Sequence, residues 1–132
     1  MLILDTNAYS AFRRGHPGMV SRVGEAEGLG LSVVVLGELL SGFRSGNKFE
    51  SNILALDLFL SKPQVLVLPV GTVTADWYSK ILVILKRKGR PIPTNDIWIA
   101  AQAMETGAEL ISFDKHYGEI AGLKWVRPDQ DG

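Results

Sequence analysis

The chain has 132 residues, 46% of them hydrophobic, with 14 Lys+Arg against 14 Asp+Glu and no cysteine. That length and apolar content fill one core without disulfides or structural zinc, and the absence of thiols excludes a disulfide-stapled scaffold, thiolate metal sites and thiol catalysis. Balanced charge leaves no global footprint of nucleic-acid binding, so a polyanionic partner must be held by a local arrangement.

Met1-Leu2-Ile3-Leu4 opens the chain as a short strand, without the basic segment, long apolar stretch or cleavage site of an export signal. Asp5-Thr6-Asn7 then reads as a turn opening a helix near Ala8–Phe12. Gly24 to Gly30 lacks the G-x-G-x-x-G order and a preceding strand, so it is no nucleotide fingerprint. Leu31–Leu36 is the second expected strand, followed by helical spacing over Gly37–Ser45 and Asn47–Ser61, the latter closed by Lys62-Pro63. Val65–Leu68 is the third strand and Thr72–Lys88 a helix capped by Thr72 or Thr74; Gly89-Arg90-Pro91-Ile92-Pro93 forbids helix. Thr94 or Asn95 caps a helix running to Thr106, with Asp96 in its first turn and Gly107 past its end. Leu110–Ser112 and Lys124–Val126 complete the strands.

These runs are short, apolar and mostly not alternating, as in strands buried on both faces. The alternation with helices predicts an α/β fold in which a short central parallel β-sheet is flanked by helices on both faces. A single domain over 1–132 is expected, with 127–132 a frayed tail. The apolar stretches near Leu29–Leu40 and Val65–Val73 are interrupted well before the roughly 20 residues needed to cross a bilayer, so a soluble, cytoplasmic protein is expected.

Four acids stand close to these elements: Asp5, Glu38, Asp96 and Asp114. Each has a bland explanation: Asp5 as an N-cap, Glu38 and Asp96 as first-turn acids facing a helix dipole, and Asp114 as an Asx-turn. Taken together the bland explanations weaken, because parallel strands share a carboxyl edge on which all four converge. Two like charges about 4 Å apart repel by roughly 4 kcal/mol at an effective dielectric of 20. Only Asp114 has a sequence-adjacent cation, Lys115, so a bound divalent ion is the better offset. Oxygen donors without Cys or a paired His favour Mg²⁺ or Mn²⁺ over Zn²⁺, with Thr6, Asn7 and Ser112 as supporting hydroxyl or amide contacts. A carboxylate-held metal of this kind suits phosphodiester hydrolysis.

Leu4-Asp5-Thr6-Asn7, Val35-Leu36-Gly37-Glu38-Leu39-Leu40-Ser41-Gly42, Gly89 through Ala101 and Leu110-Ile111-Ser112-Phe113-Asp114 follow one another in an order that resembles a PIN-domain ribonuclease of the VapC toxin type. The resemblance runs from Met1 to about Val126. It implies a PIN-like domain and metal-dependent endonucleolytic cleavage of RNA. It makes Asp5, Glu38, Asp96 and Asp114 the catalytic acids holding Mg²⁺ or Mn²⁺, with Thr6 and Ser112 at supporting positions. It also implies a homodimer and a small cognate antitoxin whose tail covers the acidic pocket, and no membrane partner. The last acid is the least uniform family position, which makes Asp114 the weakest correspondence.

Three other functions compete. An acid-cluster phosphatase would want Asp-x-Asp after the first strand, where Asp5-Thr6-Asn7 supplies one carboxylate; a phospho-receiver would need an Asp after the third strand, where Leu68-Pro69-Val70-Gly71 has none. A catalytically silent PIN-like binding module is the third, against which the intact acids count. His116 reads as a solvated turn residue, Lys86-Arg87-Lys88 with Arg90 as cations satisfying a helix C-terminus, Trp98 and Trp125 as core, and Trp77 as a base-stacking residue or part of a dimer face.

Overall fold

The computed structural model describes residues 1–129. Leu2–Leu4 (β1) is buried throughout and takes the middle of a five-stranded parallel sheet. On one side Leu29–Ser32 (β2) pairs with it through Ile3 opposite Gly30, and Val65–Leu68 (β3) forms the outer edge. On the other side Glu109–Ile111 (β4) pairs through Leu4 opposite Ile111, followed by Trp125–Val126 (β5). The order β3-β2-β1-β4-β5 places a switch point between β1 and β4, where the chain winds outward in both directions from neighbouring strands.

Among the described residues six α-helices accompany the sheet: Thr6–Arg13 (α1), Pro17–Glu25 (α2), Val33–Ser45 (α3), Phe49–Leu60 (α4), Thr72–Lys88 (α5) and Thr94–Thr106 (α6). α6 is the most deeply set, with Ile97, Ile99, Ala100, Ala101, Gln102 and Ala103 all buried. Its alanines admit close packing, and it packs along α5 and onto β4. Gln102 donates from Nε2 to the Leu68 carbonyl at 2.9 Å, tying the end of β3 to α6. Among the described residues no helix is long and apolar enough to cross a membrane.

The expected strand Leu31–Leu36 stops at Ser32. Val33–Leu36 instead form the first turn of α3, because Ser32 Oγ accepts from the Val34 N–H at 3.0 Å and the helix buries Val35 and Leu39 on one face. A side-chain cap and an apolar face at i, i+4 outweigh the strand preference of three consecutive valines. Glu38 accordingly lies in the second turn of its helix, not the first. Helix α2 was not anticipated: Pro17 starts it, His16 Nδ1 accepts from the Met19 N–H at 3.2 Å, and Met19 and Val23 are buried. Pro93, not Thr94 or Asn95, holds the cap position of α6, while Asp96 does fall in the first turn. β3 is an edge strand with Leu66 and Val67 exposed, so it is not buried on both faces as expected. Trp98 is half-buried rather than core, while Trp125, also half-buried, packs against the core.

The tail is also corrected where it is described. Pro128 is buried, and its carbonyl oxygen lies 2.0 Å from where a Cβ on Gly18 would stand, so the segment after β5 packs on α2 instead of fraying from 127. The rest of the tail, 130–132, lies outside the described residues. Because the atom in the way is backbone, Gly18→Ala is expected to destabilise the protein by about 1–3 kcal/mol, as overpacking does. Urea unfolding checks this; a wild-type midpoint would show that the Pro128 contact is not made in solution.

Candidate metal centre

Asp5 leaves β1 in extended conformation and caps α1, its Oδ1 accepting from the Ala8 N–H at 2.9 Å. Its Oδ2 accepts from Ser112 Oγ, a bond that joins the end of β1 to the residue just past β4 across the switch point. Ser112 is fully buried, and the same Oγ accepts from the Asp114 N–H at 3.0 Å. One hydroxyl therefore aligns two of the four acids. Trp125 Nε1 donates to the Ser112 carbonyl at 3.0 Å and fixes that residue from β5.

Glu38 reaches in from α3. Its Oε1 accepts from Thr6 Oγ1 at 2.6 Å, and Asn95 Nδ2 stands 3.5 Å from Oε2. Asp96 projects from the first turn of α6, where the helix dipole favours an anion. Asp114 caps a short 3-10 turn, Lys115–Glu119, by accepting from the His116 N–H at 3.3 Å. Asp5, Glu38, Asp96 and Asp114 all line one cavity of about 380 Å³, together with Thr6, Asn7 and Asn95. The four acids predicted to converge thus share a single chamber.

His116 is not the solvated turn residue expected. Its Nε2 lies 2.9 Å from Asp96 Oδ2 and its Nδ1 2.9 Å from Asp114 Oδ1, so the ring stands between the two acids with one nitrogen toward each. Asp96, Asp114 and His116 bring ligand atoms within 4.8 Å of one another; Asp5 and Glu38 stand on the other walls. Asn95 and Tyr117 were also missed. Tyr117 is buried, and burial followed by the charge of Asp96 pushes its phenol well above the ordinary range, keeping it protonated. Nothing in a linear pattern separates such residues from ordinary helix-start and turn residues.

Among the described residues, no Lys or Arg makes an ion pair with any of the four acids. Burial pushes the Asp5 carboxyl up to about 6; the bonds from Ser112 and Ala8 pull it back, and the charges of Asp96 and Asp114 add to the rise. Asp96 is raised too, chiefly by burial and against the opposing pull of His116. Crowded, partly desolvated oxygens facing a common space fit a divalent cation, and a set of four carboxylates with one imidazole fits Mg²⁺ or Mn²⁺.

An acid raised on folding favours the folded state while it is protonated. The metal-free protein therefore loses that contribution as pH climbs from about 4, where an unfolded aspartate titrates, through 6. Asp5→Asn keeps an acceptor for the Ala8 N–H, reverses the direction of the bond to Ser112 Oγ and removes the buried charge. It is expected to stabilise the metal-free protein by about 1–3 kcal/mol near pH 8, the gain vanishing toward pH 4. Chemical unfolding in EDTA across that range checks this; a pH-independent difference would mean that Asp5 is not held as a buried charge.

The sequence profile of the PIN domain matches residues 2–123. Ribonuclease VapC1 of Haemophilus influenzae (strain R2866) is 31% identical over 128 residues, which cover 93% of this chain and 94% of that protein. Among solved structures, VapBC-1 from nontypeable Haemophilus influenzae superposes with a TM-score of 0.86 at 28% identity, covering 98% of both chains. VapBC2 from Rickettsia felis, bound to a DNA fragment from its promoter, gives a TM-score of 0.86 at 25% identity over 96% of this chain and 97% of that one. In sequence over nearly its whole length, and in fold, the chain belongs to the PIN-domain family.

Proposed function

We propose that this protein is a Mg²⁺- or Mn²⁺-dependent endoribonuclease, the toxin of a toxin-antitoxin pair, hydrolysing RNA phosphodiester bonds in the cytoplasm. The observation that carries the reading is the chamber itself: four carboxylates from four separate elements around one cavity, without a lysine or arginine partner among the described residues. Relatives named as ribonucleases supply the reaction class.

In this reading Asp5, Glu38, Asp96 and Asp114 hold the metal. A divalent ion there supplies positive charge at a phosphoryl oxygen and makes water a better nucleophile at neutral pH. The chain's own part is positioning. Thr6 and Asn95 orient Glu38, Ser112 and the Ala8 N–H orient Asp5, and His116 sets the separation of Asp96 and Asp114. The phosphatase alternative is disfavoured because Asn7 stands where a second carboxylate would be needed.

Partners follow from the same relatives, whose solved structures are VapBC complexes. We take the chain to be a homodimer held by a small antitoxin. Exposed apolar side chains support a surface covered by protein: Leu54 and Leu58 on α4, Leu66 on β3, and Val83 and Ile84 on α5.

Purified protein is expected to cut members of a mixed RNA panel with Mg²⁺ or Mn²⁺, and to stop in EDTA. Asp96→Asn should lower kcat by roughly a hundredfold or more, and Thr6→Val by about ten- to a hundredfold through loss of the Glu38 contact. Folded protein that binds Mn²⁺ yet cuts no RNA in the panel would turn the reading toward a binding module. Expression in a bacterial host is expected to arrest growth, and co-expression of a small protein encoded beside it to relieve the arrest; unhindered growth would argue for a stand-alone nuclease.

A further inference from the structure

His116 has a second neighbourhood. Besides bridging Asp96 and Asp114, it lines a separate groove of about 440 Å³ whose other walls include Arg90, Ile92, Lys115 and Glu119. One imidazole thus divides the acidic chamber from this groove. We propose that the groove grips the phosphate backbone of single-stranded RNA on one side of the bond to be cut, through Arg90 and Lys115; the proposal rests on the ribonuclease reading above and deepens it.

Charge carries the assignment. Arg90 and Lys115 are exposed, and among the described residues neither makes an ion pair. Lys88 Nζ donates to the Glu119 carbonyl at 3.1 Å, which brings a third cationic group to the rim. Glu119 is the opposing charge in the groove. The groove is net positive beside a chamber that is net negative, so a polyanion too strongly repelled to enter the chamber unaided has a place to be held next to it.

The helix-terminus explanation does not reach these two residues. Lys86, Arg87 and Lys88 occupy the last turn of α5 and complement its dipole. Arg90 lies beyond the cap, and Lys115 opens the 3-10 turn, the end at which an acid is favoured over a cation. The backbone of Arg90 is also held in place before any ligand arrives. Gly89 takes the left-handed conformation at φ +67°, the Arg90 N–H bonds the Leu85 carbonyl at 3.0 Å, and Pro91 restricts the backbone that follows. A guanidinium carried on a fixed stretch of backbone suits a phosphate oxygen pair, since only its own side chain has to be ordered when it binds. Among the described residues no Phe, Tyr or Trp lines the groove, so the contact is to backbone and tolerant of sequence.

The test separates binding from cleavage. In an Asp96→Asn background with Mg²⁺, Arg90→Ala and Lys115→Ala are each expected to weaken equilibrium binding of a single-stranded RNA by about three- to tenfold. The slope of log affinity against log salt should shrink by about 0.7 per residue. Arg90→Lys should keep the salt slope, and Lys80→Ala, which removes the ammonium paired with Asp76 on α5 at 3.0 Å, should change neither quantity. In the otherwise wild-type enzyme the same two alanine variants should raise KM with kcat within about twofold, since uniform binding is what is lost. Unchanged affinity and salt slope in both variants would overturn the groove while leaving the nuclease intact. RNA affinity that depends on Arg90 in a protein that never cuts would instead overturn the ribonuclease reading and leave the groove standing. If only binding of an acidic protein partner weakens, the groove is a protein dock and the RNA assignment fails.

Discussion

The hydrogen bond from Ser112 to Asp5 is the contact on which the rest of the site depends. It spans the β1–β4 switch point, where the strand order leaves a crevice at the carboxyl edge of the sheet, and it holds a largely buried carboxylate against the repulsion of Asp96 and Asp114. The surrounding structure is arranged to sustain that crowding. Ser112 is anchored in turn by Trp125 and aligns Asp114 through its backbone N–H, while the His116 ring sits between Asp114 and Asp96. Such a cluster costs stability in the metal-free protein and persists because the parallel sheet fixes its bases.

The sheet explains how three-residue strands suffice. β1 and β4 are registered residue for residue from Leu2 opposite Glu109 to Leu4 opposite Ile111, and each presents buried apolar side chains to helices. A strand of that length positions little by itself. Its neighbours on both sides make its end a fixed point, so Asp5 and Ser112 inherit the precision of the core.

Much of this was legible in the sequence, for a reason that also marks the limit. Apolar runs that end on an acid announce a buried strand leaving the core, which is why Asp5 and Asp114 could be read, and a loop of glycine and two prolines announced the break before Asp96. The Val33–Leu36 segment was misread because its residues favour a strand locally, whereas the decision was made by the Ser32 cap and by burial of Val35 and Leu39. α2 was passed over although Pro17 and the Met19/Val23 pair were visible, because nine residues with two glycines give a weak period. His116, Asn95 and Tyr117 act through tertiary neighbours, Asp96 and Glu38, that no local window contains.

The placement of His116 bears on how a polyanion approaches. Four carboxylates repel phosphate, and the repulsion is strongest in the partly desolvated chamber where Asp5 is buried. A cationic wall inside that chamber would remove the repulsion but would also compete for the acids. Setting Arg90 and Lys115 outside, with a single ring between, keeps the acids free of lysine and arginine while lowering the potential felt by a strand that runs past. Ring and groove belong to one short stretch, because the 3-10 turn that begins at Lys115 is capped by Asp114 itself. The turn that aims an acid into the chamber therefore also turns a cation away from it, and the separation of charge follows from the path of the backbone.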